Sequence, residues 1–297
     1  MAISKFLDPK NDLAFKRIFG SEKNKDILIH FLNDIFAGQT SPVEDVKFLK
    51  PIQEPEIAAQ RVSIVDIMCE AVNGDRFIVE MQVMHEPGFE KRAQFYAARA
   101  YIDQRQAGIG YKDLKQVIFL AITEFTLFPN KPGFLSHHHV LDVNTYERDL
   151  KDFSFSFLEL PKFKKTKNQL KTIIDKWAYF FKNARATSEN DLNSIAGSDI
   201  VIKRAFEELN RYSWTPEELR TYDSVDMKME ADRAIFEGAH DRGKLEGLEE
   251  GRKKGLEEGR IAIVLNLLEK KYDIEMIADI TGLSVEQVRS LEIRLKS

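Results

Sequence analysis

The stretch that decides the fold is Val62–Met84, with the sequence VSIVDIMCEAVNGDRFIVEMQVM. It contains two runs rich in β-branched and aromatic residues, Val62–Val72 and Phe77–Met84. Such runs are typical of β-strands. Between them stands Asn73-Gly74-Asp75, and an Asn-Gly pair between apolar runs is a strong turn signal. The stretch therefore predicts an antiparallel β-hairpin.

The loop length of this hairpin decides which polar side chains meet, because side chains alternate across a strand. The odd positions are mostly small or apolar and form a predicted core face: Ser63, Val65, Ile67, Cys69, Ala71, Phe77, Val79, Met81 and Val83. The even positions include Asp66, Glu70, Glu80 and Gln82. A two-residue loop would place Asp66 opposite Met81, on the wrong face. A three-residue loop, Asn73-Gly74-Asp75, places Asp66 opposite Gln82 and diagonal to Glu80 and also pairs the apolar faces, so we predict an odd-length loop.

The predicted polar face has the composition of a metal site. Two neighbouring carboxylates, Asp66 and Glu80, repel each other unless a cation lies between them. Oxygen ligands suit Mg²⁺ or Mn²⁺ rather than zinc. Such an ion polarises a phosphoryl oxygen and lowers the pKa of a bound water, which are the tasks of phosphodiester hydrolysis. The alternative is that both residues are polar groups on the solvated face of a sheet.

The sequence around the hairpin predicts an α/β domain followed by helices only. A helix is predicted over Asp12–Phe36 with a break at Gly20-Ser21. Further strands are predicted at Val43–Leu49, Lys115–Phe125, Val140–Val143 and Phe153–Leu160, and helices at Phe89–Gln106, Gln169–Lys182, Asp199–Tyr212 and from Thr215-Pro216 onward. We predict a domain over residues 1–185, a helical connector over 186–236 and a helical tail over 237–297.

The net charge of −4 hides an uneven distribution of charge along the 297 residues. Residues 151–182 carry eight lysines against three acidic residues, whereas residues 183–297 carry a net charge of −6. Local charge matters more than the total for a polyanionic partner. The single cysteine, Cys69, excludes a disulfide framework and favours a cytoplasmic location. The charged opening segment predicts no signal peptide, and no apolar run approaches the ~20 residues of a membrane span.

The order of motifs resembles a known nuclease family. Asp66, a gap of 13 residues and Glu80-Met81-Gln82 resemble the PD-(D/E)xK nuclease core, with Gln in the place of Lys. The opening Asp8-Pro9-Lys10-Asn11-Asp12-Leu13-Ala14-Phe15-Lys16-Arg17-Ile18-Phe19-Gly20 is similar to the signature of the recombination-promoting nuclease/putative transposase (Rpn) family. The helix Lys91–Asp103 and the glycine repeat of the tail fit this family as well.

The resemblance implies a restriction-endonuclease-like core, which is a mixed central sheet flanked by helices, and a metal-dependent DNA endonuclease that promotes recombination. It implies Asp66, Glu80 and the carbonyl of Met81 as ligands of Mg²⁺, or of Mn²⁺. Gln82 would position the attacking water without supplying positive charge. An acid on the first helix often completes such sites, and Asp12 is the candidate, although a helix N-cap explains it equally well.

Several other residues could contact DNA. Arg92 and Tyr96 lie four positions apart on one predicted helix and could reach a phosphate, as could Arg61; packing of Tyr96 and solvated arginines are the alternatives. The lysines of Lys162–Lys167 could bind the DNA backbone or form a solvated loop. The triplet His137-His138-His139 has no acidic or cysteine partner at ligand spacing, so we expect a surface strand there.

The tail contains a glycine every four residues, at Gly243, Gly247, Gly251, Gly255 and Gly259. Five interior glycines cost a helix about 4–5 kcal/mol relative to alanine. Close approach of a second helix would offset this cost, so we expect a homodimer or higher oligomer; a flexible tether is the alternative. The pattern over 261–295 predicts two helices joined at Thr281-Gly282-Leu283-Ser284, which is helix-turn-helix-like. Its second helix is close to neutral, which favours packing over DNA reading.

Two functions remain open at this point. The first is a Mg²⁺-dependent endonuclease that acts on DNA, with a helical tail for oligomerisation. The second is a nuclease-like scaffold, weak or inactive in catalysis, that binds DNA or a protein partner, with Gln82 as the mark of lost chemistry.

Overall fold

The computed structural model describes residues 4–50, 52–53, 63–106 and 110–296. The chain divides into two compact units after Lys228. The first unit is a mixed sheet flanked by helices and the second consists of helices, so the predicted α/β class with a helical extension is confirmed. Arg61 and the start of the predicted strand at Val62 lie outside the described residues.

The first unit is built on a six-stranded sheet with the order β1-β4-β5-β6-β8-β7. Its strands are β1 (Val46–Phe48), β4 (Ile67–Ala71), β5 (Arg76–Gln82), β6 (Val117–Thr123), β7 (Leu135–His139) and β8 (Phe153–Glu159). β5, β6 and β8 are parallel, and the other pairs are antiparallel. Two short strands, β2 (Ile52–Gln53) and β3 (Ser63–Ile64), pair separately. Every residue of β6 is buried, as expected of a central parallel strand.

Helices cover both faces of the sheet. The helices of the first unit before residue 216 are α1 (Asp12–Phe19), α2 (Lys25–Ile35), α3 (Phe89–Gln106), α4 (Ile173–Asn183), α5 (Glu189–Ala196) and α6 (Ile200–Glu208). Aromatic residues of α1, α2 and α4 form the larger core, in which the ring of Phe19 contacts Phe31, Trp177 and Phe181. On the opposite face, three alanines of α3 pack on β5 and β6: Ala93, Ala97 and Ala100. Small side chains let this helix lie close to the sheet.

Two predicted elements are placed differently in the structure. The predicted strand Val140–Val143 is wrong: these residues form a loop and a turn, and the strand is β7, which contains the histidine triplet. His137 pairs with Ser156 of β8, and their side chains share a 2.8 Å hydrogen bond. Pairing with β8 therefore determines which residues form this strand. The break predicted at Gly20-Ser21 is confirmed, since α1 ends at Phe19 and a short 3₁₀ turn precedes α2.

The hairpin has a three-residue loop, so the predicted odd length is confirmed, but the register differs. The loop is Val72-Asn73-Gly74, because the Ala71 N–H donates to the Asp75 carbonyl at 2.9 Å. Gly74 has φ of +89°, a backbone conformation that glycine adopts without strain, and its N–H closes the turn on Ala71. Ile67 therefore pairs with Val79, which brings Asp66 level with Glu80 rather than with Gln82.

The helices beyond residue 216 are α7 (Pro216–Glu269), α8 (Ile274–Thr281) and α9 (Val285–Lys296). α7 begins at the predicted proline. In the second unit, Val264, Ile277 and Val288 form a small core, and Gly282 with φ of +68° ends α8, as the helix-turn-helix-like pattern predicts. In the part of the chain that the structure describes, none of the helices combines the length and apolar character of a membrane span.

Candidate active site

The candidate site lies where β4 begins and β5 ends. Asp66 occupies a bend just before β4, so no residue of that strand pairs with Met81 of β5. The carboxylate of Asp66 takes this place and accepts the Met81 N–H at 2.7 Å. In return, the Asp66 N–H donates to Oε2 of Glu80 at 3.1 Å. One hydrogen bond therefore joins Asp66 to Glu80 directly, and a second joins Asp66 to Met81, the residue after Glu80.

The bend also reverses the alternation of side chains predicted for this strand. Val65 is buried with Met68 and Ile78 in the core beneath α3, whereas Ile67 belongs to the core on the opposite face. The predicted placement of Val65 and Ile67 on one face is therefore wrong, because the alternation holds only in a regular strand.

Glu80 is buried, so the alternative of a solvated sheet face does not describe it, whereas Asp66 is partly exposed. Glu80 lies on a central strand and is only 5% exposed. Burial, and then the neighbouring charge of Asp66, raise the pKa of the Glu80 carboxyl. Burial also raises the pKa of Asp66, against the hydrogen bond from Met81. Both carboxyl groups thus resist ionisation in the absence of a cation.

Gln82 is held by protein groups rather than left free. Its Oε1 accepts a hydrogen bond of 2.7 Å from Nη2 of Arg92, and its Nε2 donates to the Met84 carbonyl at 3.3 Å. Arg92 also pairs with Glu86 and lies over the Phe89 ring, with 5.1 Å between its guanidinium carbon and the ring centroid. These contacts place Arg92 beside the candidate site, and the prediction that it could reach a phosphate stays a prediction.

Asp12 lies near the pair but outside direct contact with it. The N-cap of α1 is Asn11, whose Oδ1 accepts the Leu13 N–H at 3.1 Å, so the N-cap explanation of Asp12 is wrong. Asp12 is the first helical residue and pairs with Lys16 at 2.8 Å. Its charge raises the pKa of Asp66, after the larger effects of burial and the Met81 hydrogen bond. The structure therefore brings Asp12 within electrostatic reach of Asp66.

Lys16 is a residue of the site that the sequence reasoning missed. Its ammonium group lowers the pKa of Asp66 and of Glu80, although burial of each carboxyl group is the larger effect. The signal that could have found it is its spacing of four from Asp12, which places both side chains on one side of a helix.

The rest of the opening motif has a structural role. The Asp8 N–H donates to the Tyr222 hydroxyl at 2.9 Å, and the buried amide of Asn11 donates to the Tyr222 carbonyl at 3.3 Å. Lys10 is buried and pairs with Asp8 at 3.1 Å and with Glu124 at 3.6 Å. The contacts of Asp8 and Asn11 hold the beginning of the chain against the first turns of α7, and Lys10 joins it to Glu124 at the end of β6.

The donor atoms present fit a small hard cation. Among the described residues there is no cluster of three or more His, Cys, Asp or Glu that could hold a metal. Asp66 and Glu80 bring two carboxylates together, joined by a hydrogen bond. The N–H and C=O of one strand residue point to the same edge of the strand, so the Met81 carbonyl lies on the edge that carries Asp66. Few protein ligands, all oxygen, suit Mg²⁺, which keeps several of its waters.

Most lysines of Lys162–Lys167 are engaged within the protein. Lys162 pairs with the buried Glu159 at 2.6 Å, Lys165 pairs with Asp175 at 2.7 Å, and Lys167 pairs with Asp191. A lysine whose charge is already compensated contributes less to phosphate binding. These ion pairs therefore attach the segment to the end of β8 and to helices α4 and α5.

A comparison with known protein families identifies the chain. The model of the PD-(D/E)XK nuclease family transposase matches residues 9–236, from the opening motif to within α7. The chain belongs to this family. The resemblance to the Rpn nuclease/putative transposase family is confirmed, as is the fold that it implied. No curated protein and no solved structure matches the chain significantly. Membership of the PD-(D/E)XK nuclease family transposases supports a nuclease-like function, and nucleases of this superfamily commonly use divalent metals.

Proposed function

We propose that the protein is a Mg²⁺-dependent DNA endonuclease that hydrolyses phosphodiester bonds in recombination or transposition. The observation that carries the proposal is the hydrogen-bonded pair of the buried Glu80 and the partly exposed Asp66, whose ionisation is opposed unless a cation is bound. Mn²⁺ has the same preference for oxygen ligands and would replace Mg²⁺.

In this proposal Asp66, Glu80 and the Met81 carbonyl hold the metal. When bound, the metal supplies a polarised phosphoryl oxygen and a water of lowered pKa. The Met81 N–H orients the Asp66 carboxylate through one oxygen, Oδ2, and the Asp66 N–H orients Glu80 through Oε2. The second oxygen of each carboxylate is then free to act as a ligand. Arg92 holds the amide of Gln82 in place at the end of β5.

The test is nicking of a supercoiled plasmid with Mg²⁺ by wild type, Asp66→Asn and Glu80→Gln. The asparagine retains an oxygen that can accept the Met81 N–H, so the variant isolates the chemistry from the fold. We expect a loss of at least about 100-fold in each variant, since a metal ion contributes several kcal/mol to transition-state stabilisation. Glu70→Gln is the matched control, because Glu70 is an acidic residue of β4 that pairs with Arg76. Equal cleavage by all four proteins would reject the assigned site.

A specific observation favours the second function as an alternative. Gln82 stands where related nucleases carry lysine, and both ends of its amide are hydrogen-bonded within the protein. A nuclease-like scaffold that binds DNA or a protein partner would show this feature. Wild-type protein that shifts a DNA fragment in a gel but leaves it intact with Mg²⁺ and with Mn²⁺ would support the scaffold.

We also propose that the protein self-associates through its C-terminal helices, in the cytoplasm. The leucines Leu245, Leu248 and Leu256 of α7 are between 57% and 67% exposed. A Cβ added to any repeat glycine would meet no described atom within 4 Å. Nothing within the described part of one chain therefore offsets the cost of these glycines, and a second copy could.

A further inference from the structure

Three residues of α1 form one line along the helix toward the candidate site. Asp12, Lys16 and Gly20 are spaced by four, so they lie on one side of α1 and its C-cap. At the end of this line, a Cβ on Gly20 would lie 3.5 Å from Cγ1 of Ile67, the residue that follows Asp66. The side of α1 that carries Lys16 therefore faces the bend that carries Asp66.

The charge of Lys16 acts on both carboxyl groups of the site. Burial is the largest influence on the pKa of Asp66 and of Glu80 and raises both, whereas Lys16 and Arg92 lower both. The side chain of Lys16 is 41% exposed, so the ammonium group is accessible to a DNA strand. Asp12 pairs with this ammonium group from one turn earlier at 2.8 Å.

The other cation near the pair is already engaged. Arg92 donates to Gln82, pairs with Glu86 and lies over the Phe89 ring. Gln82 itself carries no charge, and an amide cannot stabilise an anion as an ammonium group does. Of the two cations that act on both carboxyl groups, Lys16 is therefore the more exposed, with 41% of its side chain exposed against 27% for Arg92. Lys16 is held by one ion pair, with Asp12, whereas several groups hold Arg92.

We propose that Lys16 supplies, from α1, the positive charge at the scissile phosphate that Gln82 cannot supply from β5, and that Asp12 is the positioning residue for Lys16. This proposal rests on the proposed endonuclease function. In the hydrolysis, a water oxygen bonds to phosphorus and releases one proton to solvent. The bond from phosphorus to the leaving sugar oxygen breaks, and that oxygen takes a proton from solvent. Lys16 stabilises the negative charge that grows on the non-bridging oxygens and transfers no proton.

The first test replaces Lys16 and then restores its charge chemically. Lys16→Cys should cleave plasmid about 100-fold more slowly than wild type. Alkylation with bromoethylamine then rebuilds a lysine-like ammonium group and should restore at least a tenth of the rate, whereas iodoacetamide, which adds a neutral amide, should not. The natural cysteine, Cys69, does not interfere, because it is fully buried and burial raises the pKa of its thiol to about 12. Lys23→Cys is the control, since Lys23 is exposed and pairs with Glu208 away from the site.

The second test does not depend on cleavage. Removal of a positive charge beside two carboxylates should tighten binding of a divalent cation, so Lys16→Met should bind Mn²⁺ about three- to tenfold more tightly in calorimetry. Lys23→Met should bind as wild type does. If the wild type binds Mn²⁺ without cleaving DNA, the endonuclease proposal fails and the Mn²⁺ affinities alone decide the placement of Lys16. Unchanged affinity in Lys16→Met, equal rates after both alkylations, or no Mn²⁺ binding by any variant would overturn the proposal.

Discussion

Glu80 and Asp66 each lose hydration in the folded protein, and neither belongs to an ion pair among the described residues. Asp66 receives a backbone hydrogen bond that partly offsets the loss, and Glu80 receives one from Asp66. Such hydrogen bonds do not remove the repulsion between two carboxylates. The pair therefore lowers the stability of the folded protein when both groups are ionised, and a bound cation would offset this loss.

This arrangement predicts the pH dependence of stability without metal. Since the folded protein raises the pKa of Asp66 to about 6 and of Glu80 to about 8, it holds these protons at pH values where the unfolded chain releases them. The contribution of this pair to the free energy of unfolding is largest below pH 4 and falls as the pH rises toward 8. In EDTA, the melting temperature of wild type relative to Glu80→Gln should therefore fall between pH 5 and pH 8. A constant difference across this range would contradict the assignment.

At the scale of elements, the hairpin loop sets the register that brings Asp66 level with Glu80. Gly74 adopts a left-handed conformation, and a Cβ there would approach the Lys115 side chain at 2.9 Å. The loop is further held by Asn73, whose Oδ1 accepts the Asp75 N–H at 3.0 Å. The loop therefore contributes to the site although it lies at the far end of both strands.

Substitution of this glycine should destabilise the fold by a backbone effect. We expect Gly74→Ala to lower the free energy of unfolding by about 1–2 kcal/mol, because a Cβ disfavours the left-handed region. Urea denaturation followed by circular dichroism measures this change. Gly133→Ala is the control, since Gly133 has no positive φ and a Cβ there would meet its nearest atom at 3.5 Å. Equal losses in both variants would show that the backbone conformation is not the cause.

At the scale of the whole molecule, the proposed self-association is tested by mass in solution. Wild type should exceed the monomer mass of 34.3 kDa in light scattering after gel filtration. Leu248→Glu should shift the mass toward the monomer, because a buried unpaired charge at a helix interface is costly. Leu150→Glu is the matched control, since Leu150 is 70% exposed outside the tail. A wild type that elutes as a monomer at all concentrations would contradict self-association.

The sequence by itself determined the main elements of the site. Alternation in Phe77–Met84 and the turn signal at Asn73-Gly74 were enough to predict the hairpin and its odd loop, because both depend on neighbouring residues. The odd loop length places Asp66 on the face of Glu80 and Gln82, but the register that brings it level with Glu80 rather than with Gln82 was not predicted. The helix break at Gly20 and the helix start at Pro216 could also be predicted from the sequence, since glycine and proline act through the local backbone.

Only the tertiary structure decided the environment of the pair. The bend at Asp66 moved Val65 beneath α3, and the position of β5 inside the sheet leaves Glu80 only 5% exposed. The approach of α1 brought Lys16 within reach of carboxyl groups on strands more than forty residues away in sequence. These relations depend on how separate elements pack against each other. The periodicity of a strand or helix in the sequence predicts which side chains share a face, but the tertiary packing determines which residues that face contacts.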